Sequence, residues 1–260
     1  MKQQNPVYQI ITVRTVQTSA AAWVIHWLFH WPLTGSHALG LFLTPALCLY
    51  FVFVFVGPLT WGLPILARLP AQQKAVALTF DDGPSLETTP QILDILHSEG
   101  VSATFFVLGE AVARCPELLR RIAAEGHAVG IHAYRHEPFV LLNTRAIDRE
   151  IKETEDAIRN AGPEAVIIPW LRPPHGFKSL SLVWILSRAG YGLVAWSLDS
   201  RDYRDDSPAQ IAAHVVDKSQ VGDVILLHDG PKNTATAEAL RPLLRGLAGR
   251  GLPLTRLGDP

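Results

Sequence analysis

The stretch Ala75-Val-Ala-Leu-Thr-Phe-Asp-Asp-Gly-Pro84 places a mostly apolar run directly before two adjacent carboxylates. A continuous apolar run is typical of a strand that is buried on both faces of a parallel sheet. Residues 224–230 repeat this design, because Val-Ile-Leu-Leu precedes His228 and Asp229. Polar groups that follow such strands collect at the carboxyl edge of the sheet, where parallel α/β folds carry their chemistry. The two stretches therefore predict both the fold class and the place of the functional site.

Similar runs alternate with helical patterns along the rest of the chain. The predicted strands are 75–80, 103–107, 128–132, 166–171, 192–197, 224–228 and 252–257. The predicted helices are 89–99, 116–125, 144–160, 180–189, 208–218 and 235–250. This alternation predicts an α/β fold, a distorted (β/α)7–8 barrel, with a doubly wound sheet as the alternative.

The N-terminal part of the chain has a different character, since residues 16–67 contain no Asp, Glu, Lys or Arg. A helix that spans a bilayer needs about 20 apolar residues. We therefore expect a membrane anchor over residues 1–70, with one span at about 38–60 and a possible second span at about 16–33. A signal peptide fits less well, because the apolar run is long and begins late. Two spans would place the 75–260 domain in the cytoplasm, whereas one span with a cytoplasmic N-terminus would place it outside. The sequence therefore leaves the side of the membrane undecided.

Charge and cysteine content exclude several classes of protein. Residues 1–80 hold four basic side chains and no acid, whereas residues 81–260 hold 19 basic and 24 acidic ones. A mildly acidic domain argues against a nucleic-acid partner. Two cysteines, Cys48 and Cys115, are too few for a disulfide scaffold.

Five of the predicted strands end in acids, histidines or an arginine. These ends hold Asp81 and Asp82, His132 and His136, Arg172 and His175, Asp199 and Asp202, and His228 and Asp229. Two histidines and one carboxylate make an open site for a divalent ion, and a further carboxylate offers a base. The same triad also permits a 2-His-1-carboxylate iron oxygenase, and a non-catalytic glycan-binding protein is a third hypothesis.

The order and spacing of the five segments resemble the five motifs of polysaccharide deacetylases of the NodB-homology type, carbohydrate esterase family 4. The resemblance runs from about Ala75 to the C-terminus. It implies a NodB-type catalytic domain and a metal-dependent hydrolase that removes acetyl from an N-acetylated amino sugar in a polysaccharide, peptidoglycan or another cell-envelope glycan. A deacetylase or deformylase of a lipid-linked (undecaprenyl-phosphate) amino sugar is the alternative. Together with the predicted anchor, the resemblance implies a monomer at the inner membrane of a bacterium, in contact with glycan and membrane lipid.

The resemblance also implies a role for each matching residue. The implied metal ligands are Asp82, His132 and His136, with Zn²⁺ expected and Co²⁺ or Ni²⁺ as alternatives. The implied catalytic residues are the base Asp81 with its supporting Arg172, and the acid His228 with an orienting carboxylate. Asp199 is favoured over Asp202 for that orienting role. The implied substrate-binding residues are Pro174, His175 with its backbone N–H, Tyr203 and Leu226.

Three residues depart from the family pattern. Ala133 stands where Ser or Thr is usual, His175 replaces the commoner Tyr, and Tyr203 replaces Trp. None of them is a proposed ligand, base or acid, so they bear on substrate preference more than on the reaction. Ala133 also lacks a hydroxyl that would tie the loop between His132 and His136, which predicts a looser loop.

Overall fold

A computed structural model describes residues 45, 47–49, 63–162 and 167–258 of the chain. Within this part, nine strands form one sheet in which the paired strands are parallel. The strands are β1 (Ile65–Leu66), β2 (Val76–Asp81), β3 (Thr104–Leu108), β4 (Ala128–Ala133), β5 (Ile167–Leu171), β6 (Gly192–Val194), β7 (Leu198–Asp199), β8 (Val224–His228) and β9 (Leu254–Thr255). Their order is β1-β6-β5-β4-β3-β2-β8-β7, and β9 also pairs with β2.

Helices connect most of the strands as the alternation predicts, but β6 leads to β7 through residues 195–197 without a helix, where the sequence predicted one strand at 192–197. They are α1 (Thr89–Glu99), α2 (Gly109–Arg114), α3 (Pro116–Ala124), α4 (Thr144–Ala161), α5 (Leu180–Ala189), α6 (Pro208–Lys218) and α7 (Thr234–Gly249). Helix α6 begins where its sequence dictates, because Ser207 and Gln210 form a capping box ahead of a first-turn proline. The sequence did not predict the short helix α2.

The sheet is curled and open, and its strand order decides between the two predicted architectures. Strands β2 to β6 step in one direction across the sheet, as in a barrel, whereas a doubly wound sheet reverses direction at its switch point. The doubly wound alternative is therefore wrong. The predicted barrel is confirmed in its parallel α/β order, but the described path ends at β1 on one side and β7 on the other.

Alternation along the strands separates the core from the site. In β2, Val76, Leu78 and Phe80 belong to the large cluster that packs against the helices. Ala77 belongs to a different cluster, and Thr79 and Asp81 share its face because successive side chains point to opposite sides. In β8, Ile225 and Leu227 join the helix-side cluster, which leaves Leu226 and His228 on the other face. The inner face of the sheet thus carries the polar residues to its carboxyl edge.

The N-terminal boundary of the domain differs from the predicted one. Residues 63–69 were assigned to the anchor, yet Ile65 and Leu66 pair with β6. The segment after β1 is also held, because Arg68 forms an ion pair of 2.5 Å with the buried Asp223. Apart from residues 45 and 47–49, the spans predicted at 16–33 and 38–60 lie outside the described residues. Among the residues that were described, no helix is both long enough and apolar enough to cross a membrane.

Truncation of the chain tests this boundary. A protein that begins at Leu63 is expected to keep the stability of the domain, whereas one that begins at Ala75 should lose about 3–5 kcal/mol. The second truncation removes β1, exposes apolar core that Leu63 and Leu69 cover, and leaves Asp223 without its arginine. Urea unfolding of the two proteins measures the difference, and equal midpoints would show that β1 is dispensable.

Candidate active site

Asp82, His132 and His136, which we call the metal triad, meet at the carboxyl edge of the sheet. Oδ1 of Asp82 lies 3.3 Å from Nε2 of each histidine, and the three ligand atoms all lie within 4.8 Å of one another. That Oδ1 is buried without a hydrogen bond of good geometry. Two imidazole nitrogens and one carboxylate oxygen that converge in this way fit a divalent ion such as Zn²⁺.

The ionisation of Asp82 and the orientation of His132 also suit metal ligands. Burial by itself would raise the pKa of Asp82, but the closeness and charge of His132, together with the charge of His136, hold it well below its usual value. Asp82 is therefore ionised at neutral pH, as a metal ligand must be. Nδ1 of His132 donates to the carbonyl of Arg172 at 2.6 Å, which turns Nε2 of the ring towards Asp82.

A residue that the sequence analysis missed holds the loop between the two histidines. Glu150 of α4 is buried, and its Oε2 accepts hydrogen bonds from the backbone N–H groups of Tyr134 (2.9 Å) and Arg135 (2.7 Å). These bonds fix the turn that brings His136 back to His132. The loosening predicted from Ala133 is therefore opposed by a carboxylate from a distant helix, which no local pattern reveals.

Asp81 and Arg172 form a buried ion pair beside the triad. Nη1 of Arg172 donates to Oδ1 of Asp81 and to Oγ1 of Thr79, both at 2.7 Å. The guanidinium also lies 4.4 Å over the ring of Phe106 and donates to the carbonyl of Ala195. Asp81 is 3% exposed and Arg172 0%, so a partly desolvated carboxylate and its balancing cation stand next to the metal triad.

His228 forms the third group of the site, and its carboxylate partner is Asp202. Nδ1 of His228 bonds to Oδ1 of Asp202 at 2.7 Å, and the backbone N–H of His228 donates to Oδ2 at 2.8 Å. Oγ1 of Thr236 donates to the same Oδ2. Burial would lower the pKa of His228, but the hydrogen bond and charge of Asp202, with the charges of Asp81 and Asp82, raise it to about 9. The imidazole is therefore protonated at neutral pH.

The preference for Asp199 in this role is wrong. Asp199 accepts the backbone N–H of Arg201 at 2.8 Å and the hydroxyl of Tyr203 at 2.9 Å, so both of its carboxylate oxygens are engaged elsewhere. The chain reverses at Arg201, which has a positive φ of 63°. This reversal turns Asp202, rather than Asp199, towards His228.

The Asp202→Asn variant tests the electrostatic role of this carboxylate. The amide keeps a hydrogen-bond acceptor but loses the charge, so burial is less opposed and the pKa of His228 should fall from about 9 by about 1–3 units. If the reaction needs protonated His228, the loss of rate with rising pH then begins at a lower pH than in the wild type. The alkaline limb of kcat, measured from pH 6 to 10, should move down accordingly. In Asp199→Asn the alkaline limb of kcat should stay in place. Equal shifts of this limb in both variants would contradict the assignment of Asp202 as the partner of His228.

The three groups open onto one cleft of about 910 Å³. Its walls include His175, Tyr203 and Leu226, as the resemblance implied, whereas Pro174 is buried and Pro173 lines the cleft instead. His175 has a positive φ of 58°, and its ring stands edge to face with His136 at 4.5 Å. The ring of Tyr203 meets His228 in the same way at 5.7 Å. Two of the three departures from the family pattern thus face the groups of the site directly.

Comparisons with known proteins agree with this geometry. The family described as "Polysaccharide deacetylase" matches residues 68–194. A chitooligosaccharide deacetylase from Rhizobium leguminosarum bv. trifolii is 40% identical over 62% of this chain and 74% of its own length. A Bacillus cereus (strain ATCC 14579) peptidoglycan-N-acetylglucosamine deacetylase is 39% identical over 62% of this chain and 58% of its own length.

Solved structures give the same result. The Bc1960 peptidoglycan N-acetylglucosamine deacetylase superposes with a TM-score of 0.73 at 32% identity, covering 77% of this chain and 95% of that one. A family 4 carbohydrate esterase from Streptomyces lividans, solved with acetate, superposes with a TM-score of 0.64 at 35% identity, covering 70% and 91%. The chain accordingly belongs to the polysaccharide deacetylase family, and its likeness to the deacetylases of that family identifies it as a hydrolase of carbon–nitrogen bonds in acetylated amino sugars.

Proposed function

We propose that this protein is a membrane-anchored, metal-dependent N-deacetylase that removes acetyl from an N-acetylated amino sugar of a polysaccharide, peptidoglycan or other cell-envelope glycan. One observation carries the proposal. Three groups open onto the same cleft, namely the metal triad, a buried carboxylate with its arginine, and a protonated histidine with its carboxylate. Amide hydrolysis needs these three functions, namely an electrophile, a base and an acid.

Asp81 is the general base in this proposal. A divalent ion held by Asp82, His132 and His136, most simply Zn²⁺, supplies Lewis acidity towards the amide carbonyl and a more acidic water. Asp81 accepts the proton of the attacking water, and Arg172 holds its carboxylate in place from the buried side. The backbone N–H of His175 donates to the oxyanion.

His228 is the general acid. An amine leaves poorly as an anion, so the sugar nitrogen must be protonated as the carbon–nitrogen bond breaks. His228 holds a proton at neutral pH, and because its Nδ1 is bonded to Asp202, the proton is delivered from Nε2. Leu226 lies two residues before His228 on β8 and lines the same cleft, and in this proposal it forms a wall of the acetyl pocket.

The oxygenase and glycan-binding hypotheses account for fewer of these contacts. An iron oxygenase has no required use for the Asp81–Arg172 pair or for the His228–Asp202 pair. A binding protein has no use for a protonated histidine beside the buried Asp81–Arg172 pair.

Membrane anchorage rests on the sequence of the N-terminal region. The charge-free run of residues 16–67 is long enough for one or two spans. In this proposal the protein is a monomer at the inner membrane of a bacterium, in contact with lipid through residues 1–62. A compartment-sensitive reporter fused after Pro260 assigns the side of the domain. An external domain favours a wall glycan, and a cytoplasmic one favours a lipid-linked amino sugar.

The activity is tested with the full-length chain in lipid nanodiscs. Amine release is measured from N-acetylglucosamine oligomers, peptidoglycan and an undecaprenyl-phosphate-linked N-acetyl amino sugar. Release is expected from at least one substrate, to stop with a chelator, and to return with Zn²⁺, Co²⁺ or Ni²⁺. Activity that is indifferent to the chelator overturns the proposal. Oxygen consumption with Fe²⁺ and 2-oxoglutarate, without amine release, supports the oxygenase instead.

A further inference from the structure

Asp229 is a buried carboxylate that the proposed chemistry does not use. It directly follows His228 and is 1% exposed. Its backbone N–H donates to the carbonyl of Asp81 at 2.9 Å, and its Oδ2 accepts the hydroxyl of Thr89 at 2.7 Å. Its own carbonyl accepts the hydroxyl of Thr88. Asp229 thereby ties the end of β8 to the end of β2 and to the start of α1.

The carboxyl group of Asp229 also fills the space beside Gly83. A Cβ placed on Gly83 would lie 2.0 Å from Oδ2 of Asp229 and 2.3 Å from its Cγ and Oδ1, and these are the three nearest atoms. The residue between Asp81 and Gly83 is the triad ligand Asp82. Asp229 therefore holds both chain neighbours of this ligand, one by a hydrogen bond and the other by close packing.

The backbone of Asp82 needs such support. Its φ is 76°, in the left-handed region that residues other than glycine adopt only when their surroundings impose it. Gly230, the residue after Asp229, adds a second restraint, because a Cβ there would lie 3.1 Å from the Cβ of Asp82. The conformation that presents the carboxylate of Asp82 to His132 and His136 is thus imposed from β8.

We propose that Asp229 is a positioning residue that sets the carboxylate of Asp82 as a metal ligand through the backbone of Asp81 and Gly83. This inference rests on the metal role of the triad under the proposed function. Because Asp229 directly follows His228, the last residue of β8, the same contacts also set the distance between the proposed acid and the triad.

Metal binding by the full-length protein tests the inference without recourse to activity. Zn²⁺ affinity is measured by competition with a chelating dye, and ligand geometry by the absorption spectrum of the Co²⁺ form. Asp229→Ala should weaken Zn²⁺ binding about 10–100-fold and alter the Co²⁺ spectrum. Asp229→Asn keeps the shape and the acceptor for Thr89, so its affinity should stay within about threefold of the wild type.

Asp223→Ala is the matched control for lost stability. Asp223 directly precedes β8 at its opposite end, is 2% exposed, and bonds to Arg68 and Ser197. Its removal should lower the unfolding temperature as Asp229→Ala does, yet leave Zn²⁺ affinity and the Co²⁺ spectrum of the folded protein unchanged. If both variants weaken Zn²⁺ binding equally, a general loss of stability explains the effect and the positioning role is overturned.

A double-mutant cycle isolates the contact itself. Gly83→Ala alone places a methyl group against the carboxyl of Asp229 and should weaken Zn²⁺ binding tenfold or more. In the Asp229→Ala background the obstructing group is absent, so the same change should cost less than threefold. Additive effects of the two changes, or wild-type Zn²⁺ binding in Asp229→Ala, overturn the positioning role of Asp229 but leave the proposed function standing. A wild type whose Zn²⁺ binding does not depend on Asp82 overturns the proposed function as well.

Discussion

Replacing Asp82 with alanine is expected to abolish tight Zn²⁺ binding and to lower kcat/KM for deacetylation at least about a thousandfold. Asp82 supplies the one carboxylate oxygen of the triad, and its Oδ1 is the atom on which both histidines converge at 3.3 Å. Alanine leaves two imidazoles without the charge that balances a divalent ion. Metal content after dialysis and amine release from an N-acetylglucosamine oligomer measure the two losses.

Asp199→Ala is the matched control for this change. Asp199 lines the same cleft, but its carboxylate bonds to Tyr203 and to the backbone of Arg201 rather than to the triad. Its removal should leave the metal content unchanged and kcat/KM within about tenfold of the wild type. An Asp82→Ala protein that stays active without metal would contradict the assignment of the triad.

Arg172→Met should be the most damaging change for folding and should disable the site at the same time. It removes the cation that balances Asp81 and leaves a buried carboxylate uncompensated, which costs about 3–5 kcal/mol of the free energy of unfolding. It also frees Thr79 from its bond to the guanidinium. Deacetylase activity should fall about a hundredfold or more, because Asp81 loses the group that holds it in place.

Two further arginine variants sharpen this test. Arg172→Lys keeps a charge but not the fork that reaches Asp81 and Ala195 together, so its stability should lie between those of the wild type and Arg172→Met. Arg188→Met removes an arginine that stacks on the exposed Trp184 and should change stability by less than about 0.5 kcal/mol. Urea unfolding compares all three, and a stable, active Arg172→Met protein would refute the role of the ion pair.

Elements with local signals were predictable to the residue. The bounds predicted for α1, α5 and α6 agree with the structure, because a first-turn proline or a capping serine begins each helix. Four of the five strand ends were predictable for a similar reason, since an apolar run that stops at charged residues is a local pattern. The strand predicted at 192–197 is instead divided into β6 and β7, and Asp199 lies within β7. Their meeting in one cleft follows from the parallel sheet, in which every strand ends at the same edge.

Features that depend on distant residues were not predictable in this way. Strand β1 pairs with Leu193 and Val194, far along the chain, and its apolar residues continue an apolar run that predicts a membrane span. The choice between Asp199 and Asp202 depends on the chain reversal at Arg201, and Glu150 reaches the histidine loop from another helix. Neither leaves a periodic or compositional mark in the sequence.

The position of β1 also decides how the domain bears mechanical load. Any tension applied to the chain upstream of Leu63 passes first into the β1–β6 pairing and the ion pair between Arg68 and Asp223. The β1–β6 pair lies at one edge of the sheet and the ion pair lies beside the amino end of β8, whereas the metal triad lies at the carboxyl ends of β2 and β4. Two backbone hydrogen bonds, from the N–H groups of Leu193 and Ala195 to the carbonyls of Pro64 and Leu66, share that load. A tether at this place therefore restrains the enzyme without straining its catalytic edge.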